Sequence, residues 1–331
     1  MTLLNVTDLS VTLSTADGAA RAVRDLNFSL EKGQTLGIVG ESGCGKSMTA
    51  LALMGLLPEK SKTDGTIKFN NEDLLQKSEA EMCNLRGNRM AMIFQEPMTS
   101  LNPVHTVGRQ VMEPLRLHKN MSKADAVAEA IKLLDRVGIP NASERLGNYP
   151  HQLSGGQRQR VMIALALSCA PDILIADEPT TALDVTIQDQ ILELIQSLVR
   201  EEGMSLILIS HDLGVISENT ERIMVMYGGA AVETGPTETF FDALTHPYSQ
   251  GLFAAMPKLG MGRTSRLMTI PGVVPDLINL PTGCTFTDRC PLATAECAKT
   301  TPPLRQLTAG HQVACHHLEE AREKRPEELF A

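Results

Sequence analysis

Residues 40–47 read GESGCGKS, a glycine-rich turn between the apolar run TLGIV (35–39) and the helix-patterned KSMTALALMGLL (46–57). No other stretch restricts the fold as much. The pattern G-x-x-x-x-G-K-[ST] after a strand and before a helix is that of a phosphate-binding loop. Its glycines let the backbone wrap closely and turn N–H groups toward phosphate oxygens. The N-terminus of the following helix adds a favourable dipole. Lys46 supplies a point charge for β- and γ-phosphates, and the Ser47 hydroxyl can ligate Mg²⁺. Cys44 inside the loop reads as a small side chain filling a variable position, with a redox-sensitive thiol beside the nucleotide as the alternative.

The rest of the chain alternates apolar strands with helices, the texture of an α/β domain with a mainly parallel sheet. LLNVTDLSVTL (3–13) and NFSLEKGQTLGIV (27–39) are β-branched runs separated by turn residues. GTIKFN (65–70) and MAMIF (90–94) read as strands, and 96–150 as mostly helical. DILIAD (172–177) and SLILIS (205–210) are continuous apolar strands of the buried parallel kind. TIQDQILELIQSLVREEG (186–203) is an amphipathic helix closed by glycine. After about residue 240 the texture becomes Pro- and Gly-rich, which places a domain boundary near residue 255. Asp177 and Glu178 end an apolar strand, and two adjacent carboxylates there cost desolvation unless a cation compensates. Asp177 is thus read as a Mg²⁺ holder and Glu178 as the group that polarises an attacking water.

Composition excludes several classes. With 39 acidic and 30 basic residues the net charge is −9, and no basic run is present, which argues against nucleic-acid binding. The longest apolar run, VMIALALSCA (161–170), is half a membrane span. The start, MTLLNVTDLS, lacks a basic region and a long apolar stretch, so a cytosolic chain with reduced thiols is expected. Four of its seven cysteines nevertheless crowd into one stretch, Cys284, Cys290, Cys297 and Cys315, with gaps of five, six and seventeen residues. In a reducing compartment such a group reads as a metal centre, and the spacing favours neither zinc nor iron–sulfur. His316 and His317 are alternative zinc ligands. Cys83 and Cys169 are expected to pack as small hydrophobes.

LSGGQRQR (153–160) resembles the signature of the ATP-binding cassette (ABC) ATPases, and the family's other motifs stand in order around it. They are GESGCGKS, Gln95 in IFQEP, ILIADE (173–178), ALD (182–184) and His211 in LISHDL. The resemblance covers about residues 3–250 and implies a phosphate-loop NTPase fold with a mainly parallel core sheet, an antiparallel β subdomain and an α-helical subdomain near 96–165. It divides the chain into a cassette, 1–255, and an irregular cysteine-bearing extension, 256–331. Gly40, Glu41, Ser42, Gly43, Cys44, Gly45, Lys46, Ser47 and Met48 are implied to contact nucleotide. Ser47, Gln95 and Asp177 are implied to hold Mg²⁺, Glu178 to act as general base, and His211 to hold the γ-phosphate and orient Glu178. A histidine alone after a buried strand is ordinarily a core residue; the motif order assigns it this role. Ser154, Gly155, Gly156 and Gln157 are implied to reach the ATP of a partner cassette, and Asp184 to line the dimer seam. The family's usual aromatic under adenine is replaced by Leu13, which leaves adenine on an aliphatic surface.

FQEPMTSLNP (94–103), LIADEPTTALDVTIQ (174–188), HPYSQGL (246–252) and the cysteine tail together resemble the ATP-binding subunits of bacterial dipeptide and oligopeptide importers. That implies an ATPase on the cytoplasmic face of the inner membrane. Its partners are two permease subunits, a second homologous ATPase as heterodimer and an external substrate-binding protein, with no nucleic acid. The resemblance turns the cysteine reading toward a [4Fe–4S] cluster with a structural role, with zinc as the alternative. Other cargoes are nickel chelates, glutathione, antimicrobial peptides or opines. A soluble cassette acting on nucleic acid or ribosomes is the distant alternative.

Overall fold

The computed structural model describes residues 1–96, 100–181, 184–256 and 268–330. Contacts divide the chain into two compact units. One comprises Met1–Leu3, Leu30–Gln34 and Leu74–Ile209, and the other Leu4–Ser29, Thr35–Asp73 and the chain from Ser210 onward. Expected residues 97–99 of the FQEPMTSLNP stretch, and Ala182 and Leu183 of ALD, lie outside the described residues.

The unit that holds the phosphate loop starts with β1 (Thr2–Thr15), β2 (Gly18–Glu31), β3 (Thr35–Val39), α1 (Lys46–Met54), β4 (Lys62–Phe69) and β5 (Glu72–Asp73). β1, β2, β4 and β5 form a four-stranded sheet in the order β2-β1-β4-β5, with β4 antiparallel to β1 and β5. Leu4 and Val6 of β1 are buried, and so are Leu9 and Val11. The switch of parity follows from a bulge between Thr7 and Ser10, where Asp8 takes a φ of 49°; the extra residue keeps Val11, opposite Thr63, on the same side of the pleat as Val6, opposite Ile67.

The other unit carries α2 (Glu79–Leu85), β6 (Met90–Ile93), α3 (Val107–His118), α4 (Lys123–Arg136), α5 (Gly155–Leu167), β7 (Ile173–Asp177), α6 (Val185–Glu202) and β8 (Ser205–Ser210). β6, β7 and β8 are parallel, with Met90 opposite Ile173 and Ile173 opposite Ser205. Every residue of β7 and β8 is buried, as the unbroken apolar runs require. Thr106, Ser122 and Ser154 cap α3, α4 and α5 by accepting amide hydrogen bonds. α6 stops at Gly203, whose φ of 63° returns two amides to the last turn.

The chain then re-enters the first-described unit as α7 (Leu213–Asn219), β9 (Arg222–Tyr227), β10 (Ala230–Pro236) and α8 (Pro247–Ala254). The tail adds β11 (Arg305–Thr308), β12 (His311–Val313), α9 (Leu318–Glu323) and α10 (Pro326–Leu329). β3 pairs parallel with β9, β10 pairs antiparallel with β9, and the tail strands continue the same sheet edge by edge. The Pro- and Gly-rich tail is thus short in its elements but not detached. A fully buried carboxylate joins it to the strands. Glu233 on β10 accepts hydrogen bonds from the amides of Thr245 (2.9 Å) and His246 (3.0 Å) and pairs with His311 Nε2 on β12 at 2.9 Å. Gln250 of α8 donates to the Ala321 carbonyl at 2.7 Å.

Removing the carboxylate orphans two buried amides and a buried imidazole. Glu233→Ala is therefore expected to lower unfolding stability by about 3 kcal/mol or more. Denaturant titration measures it, and a loss below about 1 kcal/mol would mean that water satisfies these donors.

Candidate functional site

The phosphate loop is built by close backbone contacts. A Cβ on Gly45 would meet the Ala22 carbonyl oxygen at 2.2 Å, and the residue has a φ of 100°. A Cβ on Gly40 would meet the Met226 carbonyl at 2.3 Å. Gly43, at a φ of 81°, faces open space, and Ser42 beside it is exposed. Cys44 is fully buried, and burial raises its thiol pKa, with Lys46 offsetting part of the effect. It is a packed small side chain, not a reactive thiolate. Lys46 is 4% exposed and its Nζ donates to the carbonyls of Gly40 (2.7 Å) and Glu41 (3.1 Å). Ser47 and Met48 are half-buried in the first turn of α1. That helix has no side-chain cap at its N-terminus. A glycine cradle, a buried ammonium and an uncapped helix start are the donor set a polyphosphate requires.

Residue 41 is tied more firmly than its variable place in the motif suggests. Its amide donates to the Tyr248 hydroxyl at 2.8 Å, and its carboxylate forms a two-point pair with Arg289, at 2.6 and 3.1 Å. Tyr227, Tyr248 and Phe286 pack ring against ring around this contact, with centroids 4.6 to 5.4 Å apart. Burial pushes the Tyr248 hydroxyl well above its ordinary pKa, so it remains a neutral acceptor and donor. Burial alone would lower Arg289, but its bonds to Glu41 and Tyr227 outweigh that and raise it. His211 and Asp212, which follow β8, are exposed, and Asp212 caps α7 through the amides of Gly214 and Val215.

In the other unit Asp177 closes β7 and is 4% exposed. Glu178 follows with a φ of 45°, a left-handed conformation that costs a non-glycine residue about 1–3 kcal/mol and is characteristic of functional sites. Its amide donates to the Ile209 carbonyl at 2.9 Å. Its carboxylate Oε2 accepts from the Gln95 side-chain amide at 3.0 Å and from the Thr181 hydroxyl at 2.9 Å. Gln95 and Glu178, 83 residues apart, are thus brought together. Thr181 escaped the sequence reading, although a hydroxyl three residues after an acid is a recurrent local bond. Ser154 and Gln157 cap α5 reciprocally at 3.3 and 3.1 Å. This leaves the helix N-terminus exposed, and a Cβ on Gly155 would meet nothing within 4 Å. Asp184 is exposed and caps α6 through the Ile187 amide at 3.0 Å. Leu13 is half-buried near the end of β1.

The tail cysteines are electrostatic neighbours. Burial raises the Cys290 thiol to about 12 and the Cys315 thiol to about 11; Cys284 and Cys297 add to both shifts, and Cys315 adds to that of Cys290. The backbone amides of Phe286, Leu292 and His317 offset part of the upward shifts at Cys284, Cys290 and Cys315. Thr294 Oγ1 lies 3.6 Å from Cys297 Sγ. Among the described residues, however, no three His, Cys, Asp or Glu side chains are arranged to hold a metal ion. The metal-centre expectation for Cys284, Cys290, Cys297 and Cys315, as iron–sulfur or as zinc, therefore has no support in the geometry. The imidazoles of His316 and His317 bond instead to Thr300 and Thr294, at 2.9 Å each. Cys169 is buried as expected, whereas Cys83 is exposed on α2, its thiol 3.5 Å from Glu79; the helix presents that face to solvent.

A family profile described as ABC transporter matches residues 23–181, and one described as the C-terminal region of oligopeptide/dipeptide transporters matches 232–297. Among solved structures, the dimeric post-hydrolysis state of the ATP-binding cassette MJ0796 bound to ADP and Pi aligns with a TM-score of 0.64 at 27% identity. It covers 71% of this chain and 98% of that one. CbiO1 from Clostridium perfringens, part of the CbiONQ transporter complex, aligns at 0.60 and 25%, covering 73% and 91%. The loop, the strained acid and the capped signature helix are those of an ABC-type ATPase cassette. The oligopeptide transport ATP-binding protein OppD of Escherichia coli is 53% identical over 95% of this chain and 92% of its own length. The dipeptide transport ATP-binding protein DppD of the same organism is 49% identical over 96% and 97%. The chain belongs to this family of oligopeptide and dipeptide ABC transporter ATP-binding proteins.

Proposed function

We propose that the chain is the ATP-hydrolysing subunit of an importer for di- or oligopeptides, working at the cytoplasmic face of the bacterial inner membrane. One observation carries the reading: likeness to peptide-transport ATP-binding proteins runs through 95% of the chain, cassette and tail together. Among the described residues no helix is long and apolar enough to cross a membrane. Permease subunits, two in this proposal, therefore supply the passage, a second homologous ATPase completes the pair, and an external binding protein delivers the cargo. The cassette, 1–255, does the chemistry, and the extension, 256–331, braces it.

The roles follow from the donor types. The amides of residues 43–48 and the Lys46 ammonium take phosphate oxygens, a recognition that ignores the base and so suits the aliphatic Leu13. Ser47, Gln95 and Asp177 are the residues that would hold Mg²⁺. The ion, when bound, screens the phosphate charge and orients the leaving group. Glu178 accepts a proton from the attacking water. Two donors and a constrained backbone fix the direction of its carboxylate, so little reorganisation accompanies proton transfer. His211 contacts the γ-phosphate. Ser154 to Gln157 present an exposed helix N-terminus to the nucleotide of a partner cassette, and Asp184 faces the same seam. Closing the pair around ATP and releasing it after hydrolysis is the stroke passed to the permeases.

The four tail thiols, we propose, ligate a [4Fe–4S] cluster. The crowding of four cysteines into residues 284–315 of a chain with only seven supports it. In protein purified without oxygen, iron and sulfide are each expected at about four per chain, and Cys290→Ser should lose both. Stoichiometric zinc, or no metal at all, would remove the cluster.

For the ATPase, Glu178→Gln retains an oxygen for Gln95 and Thr181 but cannot accept the proton. Turnover should fall at least about 100-fold while nucleotide binding is kept. A phosphate-release assay reads the first and equilibrium titration the second, and wild-type turnover would remove Glu178 as the base.

A further inference from the structure

Arg289 lies in the extension, 248 residues from Glu41, yet its guanidinium forks onto the Glu41 carboxylate in the phosphate loop. We propose that Arg289 is a positioning residue for nucleotide binding: it neutralises Glu41 and fixes the phosphate loop in its receiving form, which makes the extension a working part of the ATP site. The inference rests on residues 40–48 being that site.

A phosphate loop needs glycines, a lysine and a hydroxyl; it does not need a carboxylate. Glu41 places a negative charge in a loop built to receive a polyanion, and at such range like charges repel strongly unless one is compensated. Arg289 supplies the compensation at 2.6 and 3.1 Å. Its own place is fixed on every side. Nε donates to the Pro271 carbonyl at 2.9 Å, and the remaining donors reach the Ile270 carbonyl and the Tyr227 hydroxyl, each at 3.3 Å. The guanidinium carbon lies 5.7 Å from the Tyr227 ring centre and 5.9 Å from that of Phe286, and the side chain is 4% exposed. Such a planar, multiply bonded site selects arginine over lysine.

Residue 41 is consequently tied through all of its polar groups. The amide goes to Tyr248 and the carboxylate to Arg289, while the carbonyl accepts from Lys46. The carbonyl that receives the Lys46 ammonium is therefore positioned from α8 and from the tail. A loop ordered in advance loses less entropy when ligand arrives. Phe286 and Arg289, the two tail residues in this contact, both fall between Cys284 and Cys290. The cysteine-bearing segment is the one that carries the clamp.

Charge logic gives a test that mere structural support does not pass. The full chain and its variants are titrated with Mg²⁺-ATP, with melting curves as a check on folding. Arg289→Gln leaves Glu41 uncompensated, and the dissociation constant should rise about tenfold, with kcat changed less than KM. Glu41→Gln removes the repulsion together with the clamp and should cost less. The double variant Glu41→Gln/Arg289→Gln should return to the value of Glu41→Gln alone, a rescue that additive structural damage cannot give. If Arg289→Gln does not fold, Arg289→Lys decides: weaker ATP binding is expected from loss of the fork. Unchanged affinity in whichever Arg289 variant folds, or additive losses in the double variant, would overturn the inference alone. A wild-type chain that binds no ATP would overturn the ATPase reading with it.

Discussion

A buried ammonium needs oxygen around it, and Lys46 finds that oxygen in its own loop. Its Nζ reaches the carbonyls of Gly40 and Glu41, so the charge proposed to recognise phosphate also sets the shape of the loop backbone. Much else in this unit serves that arrangement. Gly40 and Gly45 have no room for a Cβ because the Met226 and Ala22 carbonyls lie against them. Tyr248, from the helix after the strands, holds the Glu41 amide, and Arg289 its carboxylate. The loop is rigid because strands, a helix and a distant tail each secure one of its atoms.

The other unit applies the same economy to a carboxylate. Burial of all five residues of β7 takes Asp177 out of water beside the half-buried Glu178, a placement that is unfavourable unless a cation compensates it. Glu178 adds a backbone φ of 45°. The hydrogen bonds from Gln95 and Thr181 aim it. A carboxylate tied at both backbone and side chain suits the general-base role proposed for it, one proton transfer in one direction.

What local sequence could reveal, it revealed. β8 spans Ser205–Ser210 as the run SLILIS implies, and α6 ends at the glycine that closes its periodic pattern. The phosphate loop and signature were legible because backbone chemistry demands glycine, lysine and serine at fixed spacing. The contacts that escaped are long-range and chemically ordinary in sequence. Arg289 lies in a Pro- and Gly-rich stretch without periodicity, and nothing local points from it to Glu41. Glu233 and His311 are 78 residues apart, and a glutamate in a strand ordinarily reads as solvent-facing, not as a buried hub. The tail's strands are three or four residues long; they exist because β10 offers an edge, not because their own pattern requires it. The cysteine group shows the reverse limit, a pattern plain in sequence that forms no metal-holding group among the described residues.

The central claim is that this loop recognises polyphosphate, not nucleoside. Isothermal titration of the intact chain with ATP, ADP and AMP in the presence of magnesium tests it most directly. Saturable binding of ATP and ADP with none of AMP, abolished in Lys46→Ala, is the predicted result. AMP binding as tightly as ATP, or Lys46→Ala binding ATP as the parent chain does, would contradict it.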